Sequence, residues 1–262
     1  MAADFSRPPP ELRAEAEAAH ARMMAALPYE RMEIDGASAA AEVQRLQGLG
    51  KGWPVVVGDD QQLEAIAEQY SIEDPAVFGP RDWGSGPRSP AEILETASRL
   101  SFPDDLAQWD GGLAPEDLVA PVGDWPAQIV VASPSEYNLG VAHDVLQQRP
   151  FARVHVLFIP TADSWEVPAF LRWGGWNACP PPEHHVAALR RWHEAYGAEL
   201  VGISRDFMDV RVPRPPCSRE EALAVAREIY AYCPDDVEQG LETLAALAAQ
   251  MVMQPWWNFW WD

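Results

Sequence analysis

The densest set of chemically capable side chains lies in residues 173–185, which read WGGWNACPPPEHH. An amide, a thiol, a carboxylate and two imidazoles fall within this short stretch. Cysteine and histidine are both ligands of zinc, and a Cys-His pair is also the core of a nucleophilic thiol site. The residue types alone therefore allow a metal site or a covalent catalyst.

Helical geometry argues against the metal site. Residues 182–196 have the pattern of an amphipathic helix, in which His185 falls on the apolar side and His184 falls near Arg191 on the opposite side. His193 shares the side of His185 but lies about 12 Å farther along the axis, too far to share one ion. The three cysteines of the chain also lack ligand spacing. We therefore predict no metal site and no cofactor.

A nucleophilic thiol at Cys179 needs a partner base and a lowered thiol pKa. Cys179 precedes a predicted helix N-terminus by a few residues, and His185 is the nearby base. Against this, residues 180–182 are prolines that hold the thiol in an extended segment, and buried, inert cysteine is commoner than reactive cysteine. Cys179 and His185 are the only candidates for catalysis, and the sequence assigns them no reaction.

Other catalytic motifs are absent from the sequence. No glycine-rich dinucleotide fingerprint follows a predicted strand, and Lys51, the only lysine, lies in no P-loop. The segments around Ser85 and Ser204 lack the spacing of a nucleophile elbow. The pairs of adjacent aspartates each precede or open a predicted helix, so that helix capping explains them: residues 59–60, 104–105 and 235–236.

Helices and strands interleave along the chain. Periodicity and capping signals predict helices over residues 11–27, 38–47, 59–70, 90–100, 136–148, 182–196, 218–232 and 235–251. Short apolar runs predict strands over residues 53–57, 129–132, 153–159, 199–204 and 209–212, and the tail, residues 256–262, is expected to form a closing strand. These elements predict an α/β or α+β fold with a mixed sheet, helices packed on it and a helical N-terminal arm before it.

Composition shifts divide the chain into three segments. Residues 1–50 form the helical arm, and residues 51–127 hold a strand-turn-helix unit followed by a long connection rich in Pro and Gly. Residues 128–262 are the most regular part and form a C-terminal α/β domain. We expect this last segment to pack as one unit.

The charge of the chain limits its partners. Its 262 residues carry 19 basic and 40 acidic side chains, a net charge of −21, which repels nucleic acid and anionic membrane surfaces. No apolar run has the length of a membrane span, no signal segment opens the chain, and the cysteines form no C-x-x-C pair. We expect a cytoplasmic protein, and the arginine-dominated, alanine-rich composition indicates a bacterial source.

The C-terminal half contains several distinctive blocks in a fixed order: RVHVLFIP, WGGWN, LRRWHEAYGAELVGI, RPPCSREEALAVAREIYAYCPDDVEQG and WWNFWWD. In these blocks it resembles the Domain of Unknown Function 4253 family, which is largely actinobacterial. The family has no established activity. The resemblance therefore indicates a family for this half of the chain and implies no particular function.

The chain is rich in tryptophan, with 12 residues. Tryptophan side chains are suited both to hydrophobic cores and to recognition surfaces. The candidate binding residues are Trp173, Trp176, Asn177, Trp192, Trp260 and Trp261. The first hypothesis is an acidic, non-enzymatic, immunity-like protein that binds a protein partner of basic character. The alternative is a small-molecule enzyme or ligand-binding domain with its pocket near Trp173, Asn177, Cys179 and His185.

Overall fold

The computed structural model describes residues 10–80, 86–109, 119–127 and 139–262. Its α-helices are α1 (Pro10–Ala26), α2 (Ala39–Gln47), α3 (Asp60–Ser71), α4 (Pro75–Phe78), α5 (Pro90–Ala97), α6 (Val167–Leu171), α7 (Pro182–Tyr196), α8 (Arg219–Tyr232) and α9 (Leu244–Met253). Short 3-10 helices span Gly36–Ser38, Asp104–Gln108, Gly140–Ala142 and Ser164–Glu166, and a π-helix spans Asp236–Leu241. None of the described helices combines the length and the apolar character needed to cross a membrane.

The strands are β1 (Glu30–Ile34), β2 (Trp53–Gly58), β3 (His143–Asp144), β4 (Arg149–Pro150), β5 (Val154–Ile159), β6 (Glu199–Ile203), β7 (Phe207–Arg211) and β8 (Trp256–Trp260). Six of them form one sheet in the order β1-β5-β2-β6-β7-β8, and β3 pairs with β4 in a separate hairpin. The β2–β6 pair is parallel, and the other pairs in the large sheet are antiparallel. The predicted mixed sheet with helices packed on it is confirmed.

Strands β2 and β5 are mostly apolar, as expected where both faces of a sheet are covered. Every residue of β5 is buried, and in β2 every residue after Trp53 is buried. Val55 and Val57 join the core under α7 and α8, whereas Val56 joins a second core under α2. The sheet is therefore the middle layer of the fold.

Several helix ends predicted from capping signals are confirmed. Ser89 and Glu92 form the expected capping box at the start of α5. The predicted bounds of α7 agree with the structure, and the helix ends at Gly197, whose φ of +69° suits glycine. Ser218 caps α8 through the main-chain N–H of Glu221.

The N-terminal segment contains a strand that the sequence does not predict. Helix α1 is present as expected, but β1 follows it and pairs with β5 at one edge of the large sheet. The β1 sequence ERMEI is mostly polar and partly exposed, which hides its strand character in the sequence. The large sheet thus takes strands from all three segments into which composition divides the chain.

The helix predicted over residues 136–148 is wrong where the structure describes it. Residues from Gly140 onward form a 3-10 turn and the β3–β4 hairpin. The main-chain N–H of Val141 donates to buried Asp209 at 2.9 Å, and a side chain at Gly140 would collide with the ring of Phe207. These tertiary contacts outweigh local helix propensity. The strand predicted over residues 129–132 lies outside the described residues.

The last predicted helix is two elements. The π-helix ends where Glu242 takes a φ of +65°, and α9 starts afresh with Thr243 as its N-cap. A single α-helix from residue 235 to residue 251 is therefore wrong. The break lets α9 run directly into β8, the strand predicted for the tail, which is confirmed.

Candidate functional site

The WGGWN turn, residues 173–177, forms one side of the predicted site. Gly174 has a φ of +115°, and a Cβ there would lie 2.2 Å from the carbonyl oxygen of Pro180. Glycine is thus the only residue that fits without movement of the backbone. The turn buries Trp173, whose Nε1 donates to the carbonyl oxygen of Ser204 at 2.7 Å.

Cys179, His185 and Tyr232 form a continuous hydrogen-bonded group behind this turn. Cys179 Sγ lies 3.4 Å from His185 Nε2, and His185 Nδ1 lies 2.5 Å from the Tyr232 hydroxyl oxygen. Cys179 and His185 have no exposed surface, and Tyr232 is 1% exposed. The structure therefore brings the two sequence candidates for catalysis together, but inside the core.

Burial sets the protonation states of this group. It raises the pKa of the Cys179 thiol well above its usual value and lowers the pKa of His185 to about 3. Burial also raises the pKa of Tyr232 well above its usual value. Nucleophilic attack needs the thiolate, whereas these shifts keep the Cys179 thiol and the His185 imidazole neutral. The pair is therefore a hydrogen-bonded contact of the core.

Three of the predicted binding tryptophans belong to the same core. Trp173, Trp192 and Trp261 are each at most 1% exposed. Trp192 stacks on Phe259 with ring centroids 5.3 Å apart, and Trp261 lies edge-on to Trp173. These side chains stabilise the fold and offer no surface to a partner.

The other three predicted binding residues are more exposed. Trp176 is half-buried and lies edge-on to Trp173, Asn177 is exposed, and Trp260 is half-buried on β8. Of these three, Trp260 alone lines the groove beside β8.

The histidines do not converge. His184 and His185 are both buried, and His193 Nδ1 lies 2.9 Å from the carbonyl oxygen of Ala198 within its own chain segment. No group of three or more His, Cys, Asp or Glu side chains suited to a metal ion occurs in the part of the chain that the structure describes.

A groove runs along the edge of β8 that pairs with no other described strand, and it is the strongest candidate site. Its volume is about 410 Å³, and its opposite wall is formed by the π-helix and α9. Ile229, Leu247 and Met251 line it as buried apolar side chains, Leu241 is half-buried, and the amides of Gln239, Gln250 and Gln254 also belong to the lining. We call this feature the β8 groove.

The register of β8 shows which main-chain groups face the groove. Pro255 accepts a hydrogen bond from Val212, and the Trp261 N–H donates to Asp206, so odd-numbered residues of this stretch bond to the β7 side. The main-chain N–H and C=O of Trp256, Asn258 and Trp260 therefore point away from β7. Those of Trp260 are used by Asp236 and Cys233. Those of Trp256 and Asn258 have no partner among the described residues.

Two carboxyl groups lie at the Trp260 end of the groove. Asp236 accepts the main-chain N–H of Trp260, and removal from water raises its pKa to about 8. Asp235 accepts hydrogen bonds from the main-chain N–H of Asp262 at 3.1 Å and from Gln239 Nε2 at 2.8 Å. No described basic side chain lines the groove.

Residues 155–262 match the family model described as Domain of unknown function (DUF4253). The resemblance of the C-terminal half to this family is thereby confirmed. The match contains every described residue that lines the β8 groove, together with Cys179 and His185, whereas β1 and β2 lie outside it. No curated protein and no solved structure matches the chain.

Most of the groove residues escape sequence reasoning. The tail WWNFW predicts a strand, but its edge position depends on the order of the whole sheet. The π-helix that carries Asp236 has the sequence of an ordinary α-helix start, in which Asp235 and Asp236 are interpreted as capping residues. A π-helix often marks a functional site, but its presence becomes visible only in the folded backbone.

Proposed function

We propose that the protein is a non-enzymatic interaction protein that binds an extended segment of a partner protein by strand addition at β8. The observation that carries the proposal is that the main-chain N–H and C=O groups of Trp256 and Asn258, two residues that line the β8 groove, have no partner in the described part of the chain. An added strand lies about 4.8 Å from its neighbour and satisfies such groups with main-chain hydrogen bonds.

The β8 groove offers apolar and amide side chains in addition to a strand edge. An unpaired edge strand exposes the chain to indiscriminate pairing, and proteins usually shorten, charge or cover it. Here the π-helix and α9 line the edge of β8 and narrow it to a slot, in which half-buried Leu241 offers apolar surface in front of the buried side chains of Leu247 and Met251. Side chains of an extended peptide alternate between its two faces, so that one set reaches this apolar surface.

The buried state of Cys179 supports a role without catalysis at that residue, since neither its thiol nor the imidazole of His185 reaches solvent. All three cysteines are free thiols, which supports the reducing cytoplasm as the place of action. The net charge of −21 supports a partner of basic character.

A small molecule is the second candidate occupant. The volume of the β8 groove falls within the range of ligand pockets, about 300–1,000 Å³, and its lining combines apolar and amide groups. Under this alternative the ligand would bond to side-chain amides, and the edge amides of Trp256 and Asn258 would stay unpaired.

The test uses an uncharged probe, the peptide acetyl-Ser-Val-Thr-Val-Ser-amide, titrated into the full-length protein and followed by backbone amide NMR. We expect the largest shifts at residues 256–260, and their loss in the variant Gln250→Trp, which fills the groove from α9. The control Gln44→Trp places the same side chain on the exposed face of α2 and should bind like the wild type. Absence of shifts along β8 for this peptide and for its charged analogues would refute the proposal.

A further inference from the structure

The β8 groove has a charge asymmetry that indicates the chemistry of its occupant. Its described lining carries the carboxyl groups of Asp235 and Asp236 and no basic side chain. Both acids lie at the Trp260 end of β8, where Asp236 is held by the Trp260 N–H and Asp235 by the Asp262 N–H. The other end, near Trp256, is bordered by α9 and is apolar and amide-rich.

Polar atoms that lack partners lie along the same groove. Trp257 lines it and is 4% exposed, and its Nε1 has no hydrogen-bond partner among the described residues. The buried Nε2 of Gln254 is in the same condition. Such unsatisfied donors cost free energy unless an acceptor reaches them. A peptide main chain brings a carbonyl oxygen at every residue and is suited to supply acceptors along the strand.

The carboxyl group of Asp236 also has no basic side chain beside it among the described residues. It accepts the Trp260 N–H and lies beside the Cys233 side chain, whose thiol donates to the Trp260 carbonyl oxygen, and its charged neighbour is the acid Asp235. The raised pKa of about 8 reflects this isolation from water and from positive charge. A cationic side chain placed at this end of the groove would favour the ionised form and gain an ion pair.

We propose, on the basis of the strand-addition function, that the partner segment is a cationic, amphipathic strand. It places an apolar side chain against half-buried Leu241 and a lysine or arginine beside Asp235 and Asp236. A second copy of this chain fits less well as the occupant, because each copy carries a net charge of −21 and would bring a carboxylate-rich edge against its equal.

The test compares three peptides that differ at one position. The probes are acetyl-Ser-Val-Lys-Val-Ser-amide and its analogues with threonine or glutamate in place of lysine. We expect the lysine peptide to bind about tenfold more tightly than the glutamate peptide at low ionic strength. The difference should shrink at about 0.5 M salt, because screening weakens exposed ion pairs.

Single changes of charge test whether the preference comes from this groove. Asp235→Asn should abolish most of the preference for lysine, whereas Glu220→Gln, on the exposed start of α8 and outside the groove, should retain it. Gln44→Arg makes the same change in net charge on α2 and should also leave the preference unchanged. Melting curves of all three variants confirm that they fold.

The outcomes separate the two proposals. Equal binding of all three peptides at β8 would overturn the charge inference and leave the strand-addition function standing. Failure of all three to shift the amides of β8 would overturn both. A concentration-dependent dimer that Gln250→Trp disrupts would identify a second copy as the occupant and overturn the cationic-partner inference.

Discussion

The side-chain amide of Asn177 donates a hydrogen bond to the main-chain carbonyl oxygen of Asp262 at 3.0 Å. The WGGWN turn thereby holds the last residue of the chain. The Trp261 N–H donates to Asp206, and the Asp262 N–H donates to Asp235. These contacts keep β8 from fraying and fix the wall of the β8 groove.

Replacement of Trp261 by alanine should destabilise the protein by about 3–5 kcal/mol, as is usual for truncation of a fully buried aromatic side chain. Trp261 is 1% exposed and contacts the rings of Trp173, His185 and Tyr232. Urea unfolding measures the free energy of unfolding. The half-buried Trp176 is the control, and its replacement by alanine should cost clearly less. Equal losses would contradict a core role for the tail.

The cysteines should differ in reactivity toward an aromatic disulfide reagent. Cys217 is exposed and should react first. Cys179 and Cys233 are buried, and burial raises the pKa of both thiols, so they should react at the rate at which the protein opens. The variant Cys217→Ser should therefore show no fast phase. A fast phase in that variant that disappears on replacement of Cys179 would restore Cys179 as a nucleophile.

Acid should destabilise the fold through His185. Its pKa is lowered from 6.5 to about 3 in the folded protein. Between these two pH values His185 is therefore protonated in the unfolded chain and neutral in the folded one. The stability present above pH 6.5 is thus lost as the pH falls toward 3. Between pH 7.5 and pH 5 this group alone should cost about 2 kcal/mol.

The variant His185→Gln isolates this contribution, because glutamine does not titrate. It should be less stable than the wild type at pH 7.5, and its free energy of unfolding should decline less steeply toward pH 5. Parallel pH dependences of the two proteins would show that His185 is not held neutral in the core.

The two glycines of the WGGWN turn should respond differently to alanine. At Gly175 the φ of +85° makes the substitution cost about 1 kcal/mol, and a Cβ would meet nothing closer than 3.9 Å. At Gly174 the Cβ would also lie 2.2 Å from the Pro180 oxygen, so we expect a larger loss of stability. Thermal unfolding of Gly174→Ala and Gly175→Ala tests the difference. The reverse order would contradict the described turn.

The sequence predicts elements whose signals are local. Helix α7 has both of its ends marked, by proline before it and by Gly197 after it, and β5 is a continuous apolar run. Where the structure describes residues 136–148, the predicted helix is absent, because Val141 donates its main-chain N–H to Asp209, a residue distant in sequence. Local patterns do not contain such long-range contacts.

The candidate site divides in the same way. Spacing identifies Cys179 and His185 as neighbours, but their complete burial depends on Trp173, Trp261 and Tyr232, which come from distant parts of the chain. The β8 groove depends on which strand forms the sheet edge and on the break between the π-helix and α9. Neither property is set by the residues that line the groove.

The most direct test of strand addition is amide hydrogen exchange at residues 256–259, measured with and without the lysine peptide. In the free protein the amides of Trp257 and Phe259, which face β7, should exchange slowly, and those of Trp256 and Asn258 should exchange fast. Peptide binding should slow exchange at Trp256 and Asn258 and leave the already protected pair unchanged. Fast exchange at Trp256 and Asn258 while the peptide is bound would show that it does not pair with β8, and would contradict the account.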